Sequence, residues 1–224
     1  ALYRYTVEYL RDNKEVNNIL YAYSPNSSIQ GDKESYLKTY PGDNYVDILG
    51  IDSYDNKENA GSETFLNGLT KDLEMIVSLA QEKNKIAALT EFGYSPQGIK
   101  KTGNTLDWYT KLFNQIQNNE NASKIAYMLT WANFGLPDNM FVPYRDINGD
   151  LGGNHELLPD FEKFYNNENS IFRNEVGKIY QTDKEIELIP NTNSRYVIRP
   201  YERNIITSDK EIISVKGVAE DSKI

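Results

Sequence analysis

Lys85-Ile-Ala-Ala-Leu-Thr-Glu-Phe-Gly93 is the stretch on which the reading of this chain turns. The short apolar run Ile86 to Leu89 predicts a fully buried strand, and it ends in the carboxylate of Glu91 and a turn glycine, Gly93. A charge at the end of a buried strand is costly unless a partner satisfies it there. In strand–helix barrels the carboxyl ends of the strands carry the catalytic groups, so Glu91 is the first candidate catalytic residue. On this segment alone a glutamate salt-bridged at a strand end is an equal reading.

The same grammar repeats outward from it. Ile19 to Tyr23 predicts a short strand closed by Ser24-Pro25-Asn26, and Val46 to Ile51 a second one after the turn Pro41-Gly42-Asp43-Asn44. Residues 86–90 and 125–131 are the third and fourth. Between the second and third, Thr64 to Glu82 has a helical stripe of Phe65, Leu69, Leu73, Ile76 and Ala80. Asn104 is the expected cap of the next helix, with Asp107 three residues on and a stripe through Leu106, Tyr109, Leu112, Phe113 and Ile116. Pro159 suits the first position of a last helix bearing Phe161, Phe164 and Tyr165. At the start, Leu2, Tyr5, Tyr9 and Leu10 share one face of a helix over residues 1–12. Strands alternating with helices predict parallel α/β structure. After about Glu175 the runs 196–198, 204–207 and 212–218 are β-type with no helix between them. They predict a linker and the first strands of a β-sandwich, immunoglobulin-like or carbohydrate-binding, over 179–224, with the α/β domain over 1–178.

Composition excludes several function classes. The formal net charge of -9 over 224 residues argues against a nucleic-acid partner, whose phosphates need a basic surface. No apolar run approaches the roughly 20 residues that span a bilayer, so no membrane partner is expected. With no cysteine, neither disulfides nor thiolate metal sites are available. No glycine-rich turn marks a nucleotide cofactor, and none is expected. Asp146-Ile-Asn-Gly-Asp150 spaces oxygen ligands as calcium loops do, but Leu151 and Leu157 stand where such a loop needs glycine and glutamate, so no metal is expected. The 17 tyrosines, against 8 phenylalanines and 2 tryptophans, suit both half-buried edges and a sugar-binding cleft. The start at Ala1, without an initiator methionine or a signal peptide, suggests a processed or excised piece.

Three predicted strand ends run from apolar into polar and aromatic residues: Tyr45-Val-Asp-Ile-Leu-Gly-Ile-Asp-Ser-Tyr-Asp55, Leu89-Thr-Glu-Phe-Gly93 and Tyr127-Met-Leu-Thr-Trp-Ala-Asn133. In a parallel barrel these ends converge on one mouth. A carboxylate, a tyrosine and a tryptophan there supply a nucleophile, its hydrogen-bond partner and a stacking platform for sugar. With the opening helix Leu2-Tyr-Arg-Tyr-Thr-Val-Glu-Tyr-Leu-Arg11, the strand Leu20-Tyr-Ala-Tyr-Ser-Pro25 and the helix start Leu157-Leu-Pro-Asp-Phe161, these motifs resemble glycoside hydrolase family 26 over residues 1 to about 175.

That resemblance implies a (β/α)8 barrel, of which the four strands are the fifth to eighth, and a retaining mechanism. It implies that Glu91 is the nucleophile, that Tyr54 hydrogen-bonds it, that Asp52 lines the same cleft and that Trp131 floors the subsite holding the sugar under attack. The bland alternatives are a strand-end hydrogen-bond pair for Tyr54 and Asp52 and core packing for Trp131. A retaining glycosidase needs a second carboxyl, roughly 5–5.5 Å from the first. The family's acid/base is a glutamate in a His-Glu pair on strand four, which the resemblance puts upstream of Ala1. His155-Glu156 is not that pair, because it follows a loop and precedes a helix start. The expectation is therefore the nucleophile half of a secreted or cell-surface endo-β-1,4-mannanase. Its partners would be β-mannan and the N-terminal half of the barrel, and this chain alone would be inactive. The alternatives are a β-1,3-xylanase or mixed-linkage β-glucanase of the same family, or a non-catalytic carbohydrate-binding module.

Overall fold

The computed structural model describes residues 1–26, 29–135, 139–173, 183–187 and 203–207. The chain divides into two compact units, Ala1–Asn169 and Ser170–Ile224. In the first, α1 (Leu2–Glu8) runs into a π-helical turn, Tyr9–Asn13, and then β1 (Ala22–Tyr23), α2 (Lys33–Leu37), β2 (Ile48–Asn56), α3 (Glu63–Lys83), β3 (Ile86–Ser95), α4 (Trp108–Gln117), β4 (Met128–Thr130) and α5 (Leu158–Tyr165) follow. The four strands form one sheet in the order β1-β2-β3-β4, and every pairing is parallel. This is the strand order and direction that the alternating sequence pattern implied. The central strands run further than expected, to Asn56 and Ser95, because the polar strand ends continue the ladder. The outer strands keep only two and three residues, since each pairs along one side alone.

The 21-residue α3 forms where the stripe predicted it. Ser62 Oγ accepts from Phe65 N at 3.3 Å, and Asn84 ends the helix in a left-handed conformation, φ 54°. Leu69, Leu73, Ile76, Val77 and Ala80 are buried, whereas Phe65 is only half-buried. On α4 the buried face is Trp108, Tyr109, Leu112, Phe113 and Ile116.

Two expectations about helix ends are corrected. Asn104 does not cap α4: its side chain closes its own loop, accepting from Lys100 N at 2.9 Å and donating to Lys100 O and Glu156. Leu106 lies before the helix and is 61% exposed. The orphan N–H groups of Tyr109 and Thr110 point instead at Asp160 on α5. On α1 the stripe Leu2, Tyr5, Tyr9 and Leu10 is not a buried face. Leu2 is 78% and Tyr5 63% exposed, Tyr5 stacks on Tyr9, and Val7 is the residue that packs inward.

In the second unit, β5 (Asp183–Glu187) and β6 (Arg203–Thr207) pair in parallel. The second contains the expected run 204–207. The first was not foreseen, because Asp-Lys-Glu-Ile-Glu is mostly charged. The runs 196–198 and 212–218 lie outside the described residues. Among the described residues no helix is long and apolar enough to cross a membrane, and no group of three or more His, Asp or Glu could hold a metal ion.

Candidate active site

The alternation of β2 sorts its residues onto two faces. Asp55 points to the helices, where its carboxylate accepts from Trp108 Nε1 at 2.8 Å and Gly61 N at 2.6 Å. Ser53 and Ile51, in phase with it, are buried. The other face therefore carries Gly50, Asp52 and Tyr54, with Tyr54 towards the carboxyl end of the strand.

On β3, Phe92 and Tyr94 face the helices, with ring centroids 6.1 and 4.5 Å from Trp108. Glu91 and Gly93 take the inner face with Tyr54. A bulge brings this about. Ile51 pairs with Leu89 but Asp52 pairs with Glu91, so Thr90 is an extra residue on β3. Strict alternation from Leu89 would send Glu91 towards the helices; the bulge returns it to the face of Asp52 and Tyr54.

The Tyr54 hydroxyl donates to Glu91 Oε2 at 2.7 Å. Gly93 allows this approach: a Cβ there would lie 2.6 Å from Phe141 Cδ1 and 3.4 Å from Tyr54 Cε1. The Tyr54 and Phe141 rings meet edge to face above it. Burial first, then the hydrogen bond to Glu91 and the charges of Glu91 and Asp52, push the Tyr54 phenol well up from its ordinary value. It is thus a firm donor at any pH at which a sugar-cleaving site works.

One strand over, Asp52 accepts from Ser24 Oγ at 2.6 Å, and its backbone N–H donates to Pro25 O at 3.1 Å. Tyr127, at the entrance to β4, feels the same carboxylate: burial and then the charge of Asp52 raise its phenol. Trp131 follows Thr130, the partner of Phe92, and its N–H donates to Phe92 O at 3.1 Å. Continued alternation puts its ring on the inner face. It is half-buried, 5.8 Å from the exposed ring of Phe134. Asn133 holds the following turn, accepting from Phe141 N at 2.7 Å and Val142 N at 2.9 Å.

The structure thus joins Glu91 and Tyr54 directly, sets Asp52 level with Glu91, and places Trp131 on the adjoining strand end. His155 and Glu156 belong elsewhere. His155 is 3% exposed; its Nδ1 accepts from Leu157 N at 3.1 Å, which leaves Nε2–H to donate to Lys100 O at 2.8 Å. Burial pushes the Glu156 carboxyl up, but hydrogen bonds from Asn104 and Gly103 outweigh it and hold the group below its ordinary range. This pair ties a loop, as expected of it. Asp146 likewise closes its own loop, accepting from Gly153 N at 2.8 Å and Leu151 N at 3.1 Å. Ser24 and Thr90 were not singled out from sequence. Ser24 read as a turn residue and Thr90 as one more strand residue; the available signal was that each is the first hydroxyl after a strand run.

The profile of glycosyl hydrolase family 26 matches residues 1–139. The chain is 38% identical over 218 residues to a mannan endo-1,4-beta-mannosidase of Bifidobacterium adolescentis, a match covering 96% of this chain and 21% of that enzyme. The solved catalytic domain of a family 26 endo-β-1,4-mannanase from Bacillus sp. JAMB-750 superposes with a TM-score of 0.76 at 65% identity, covering 78% of this chain and 45% of that one. A double mutant of a Cellulomonas fimi endo-β-1,4-mannanase superposes with a TM-score of 0.68 at 42% identity, covering 78% and 36%. The chain therefore spans less than half the length of each of these relatives, and its parallel α/β sheet corresponds to part of a (β/α)8 barrel. The matched span contains Asp52, Tyr54, Glu91 and Trp131, and the chain belongs to glycosyl hydrolase family 26.

Proposed function

We propose that this chain carries the nucleophile side of a retaining endo-glycoside hydrolase that cuts internal β-1,4 bonds of mannan-type polysaccharides. The observation that supports it most is the Tyr54 hydroxyl donating to Glu91 Oε2 at 2.7 Å on the inner face of the strand ends. Tyr54 holds one carboxylate oxygen and leaves Oε1 to attack the anomeric carbon. The glycosidic bond breaks as the leaving oxygen takes a proton, giving a covalent glycosyl-enzyme that water then opens. Trp131 offers a face for the reacting sugar and Asp52 an acceptor for its hydroxyls. The proton donor is a second carboxyl on a part of the barrel other than these four strands: Asp52, the other carboxylate described beside Glu91, is engaged by Ser24. Mannan as substrate is supported by the likeness to endo-β-1,4-mannanases. A polysaccharide does not cross a bilayer, so the enzyme would act outside the cell or at its surface.

The test is reducing-sugar release from β-mannan, mixed-linkage β-glucan and β-1,3-xylan by the full-length protein, its Glu91→Ala variant and the 224-residue chain. The full-length protein should prefer mannan. Glu91→Ala should lose about 10⁴-fold or more of the rate. With an activated aryl β-mannoside, added azide should take the place of the carboxylate and restore turnover, giving the α-mannosyl azide. The chain alone should be at least ~10²-fold slower than the full-length protein, because proton donation to the leaving oxygen typically contributes 10²–10⁴-fold. An undiminished rate for Glu91→Ala would sink the nucleophile assignment. A preference for β-glucan would overturn the substrate assignment; a chain 30% identical over 125 residues is named Endoglucanase H, from Acetivibrio thermocellus.

A further inference from the structure

Thr90 lies at the bulge that turns Glu91 to the inner face, and three contacts fix it there. Its hydroxyl donates to Ile51 O at 2.8 Å, across to the residue after which the register shifts. It sits on Gly50, where any Cβ would fall 2.5 Å from both Thr90 Cγ2 and Oγ1. Its oxygen also touches the hydroxyl of Ser24, whose Oγ in turn donates to Asp52 Oδ1. Ser24 follows β1, Asp52 is on β2 and Thr90 on β3, so two hydroxyls tie three adjacent strand ends together directly beside the carboxylate.

We infer that Thr90 and Ser24 are positioning residues, the first holding the bulge that aims Glu91 and the second locking Asp52 beside it. This rests on Glu91 being the nucleophile. A bulge is an irregularity that the ladder alone does not favour, because the extra residue leaves backbone groups off register. The Thr90 hydroxyl reaches back to one of them, Ile51 O. Without that bond β3 gains freedom to relax towards regular pairing, which rotates Glu91 away from Tyr54. Misplacing a reacting group by about 1 Å can cost about 10²-fold in rate, so the hydroxyl acts on turnover through geometry without touching the sugar. Ser24 spans the outer side of the same cluster and fixes the rotamer of Asp52.

The experiment uses the full-length protein and an aryl β-mannobioside with a dinitrophenolate leaving group. That leaving group needs no proton, so its rate of glycosyl-enzyme formation reports the nucleophile and not the acid. Thr90→Val keeps the shape and deletes the hydroxyl; Thr90→Ser keeps the hydroxyl. Active-site titration with a slow-releasing fluorinated mannoside normalises every rate to folded enzyme. Thr90→Val should lower kcat for glycosylation by about 10- to 100-fold with KM within about threefold. Thr90→Ser should stay within about threefold of the parent, and Ser24→Ala should fall about 5- to 20-fold.

A Thr90→Val enzyme at the parental rate, or a Thr90→Ser enzyme as impaired as Thr90→Val, overturns the inference. If Thr90→Val does not fold, Thr90→Ser and Ser24→Ala decide by the same limits. Glu91→Ala with azide, run alongside, separates the two levels. Loss and azide rescue there, with an unaffected Thr90→Val, refutes the positioning role alone. No loss there removes the nucleophile reading on which it rests.

Discussion

Tyr54 and Glu91 form a hydrogen bond between a neutral donor and a carboxylate, a class that contributes about 1.5–3 kcal/mol. In the proposed reaction the carboxylate swings to the anomeric carbon, and if the bond is kept or strengthened on the way its loss appears in turnover. Tyr54→Phe should lower kcat by roughly 10- to 100-fold and leave KM and thermal stability nearly unchanged, because the ring still packs against Phe141 and Gly93. Steady-state kinetics on an aryl β-mannobioside checks this; a fall in affinity with unchanged kcat would make Tyr54 a substrate contact instead. The identities of this site were legible because the chemistry falls where apolar runs stop: Asp52, Tyr54, Glu91 and Trp131 each follow one. Its aim was not legible. Period-two alternation through Leu89, Thr90 and Glu91 puts the glutamate on the wrong face, and the inserted Thr90 that corrects this leaves no mark in the hydrophobic pattern. Glycine offers a partial signal, since Gly50 and Gly93 mark the two places where another side chain comes close.

Helix α4 shows what an element borrows from outside itself. Asp107 occupies its cap position without making a capping bond, and its contact is an exposed ion pair with Lys111. The capping carboxylate is Asp160, 3% exposed, which accepts from Tyr109 N at 2.7 Å and Thr110 Oγ1 at 2.6 Å. Removing it strands two helix N–H groups in a dry interface. Asp160→Ala should cost about 2 kcal/mol, whereas Asp107→Ala should stay within about 0.5 kcal/mol. Urea unfolding midpoints of the two variants provide the measure, and equal losses would mean that α4 is capped locally after all. Periodicity found α3 and α4 because a continuous stripe needs only the helix itself. It could not find the cap, because the donor and acceptor are 51 residues apart in sequence. The same limit explains α1. Leu2, Tyr5 and Tyr9 make an amphipathic face, but a face able to be buried does not name what buries it, and here Val7 alone packs inward.

Across the molecule the tyrosines are the fasteners between helices and sheet, and they tie its stability to alkaline pH. The Tyr36 hydroxyl donates to Gly50 O at 3.0 Å, joining α2 to β2. Tyr109 donates to Phe141 O at 2.7 Å, joining α4 to the turn over the site. Burial pushes the phenols of Tyr36, Tyr40, Tyr54, Tyr94 and Tyr109 up, and that of Tyr3 up to about 12, against an ordinary value of 10.0. A raised folded-state value means that the folded chain keeps its protons longer than the unfolded one. The stability so linked is intact below about pH 10 and is lost as pH rises from there towards the folded-state values. A net charge already at -9 grows more negative over the same range and adds self-repulsion. Carboxylates act at the other end: Asp146 is held low by backbone N–H groups led by Gly153, so its contribution disappears as pH falls below the ordinary carboxylate range. Titrating the protein upward while recording phenolate absorbance and far-ultraviolet circular dichroism should give two phases. The first phase should leave the helix signal unchanged. The buried phenols should then ionise cooperatively, in step with loss of the helix signal, because Tyr36 and Tyr109 cannot shed their protons without opening the contacts that hold α2 to β2 and α4 to the turn over the site. A single smooth ionisation of all 17 tyrosines with the helix signal retained would show that solvent reaches these rings in the folded state, and would remove them as the link between helices and sheet.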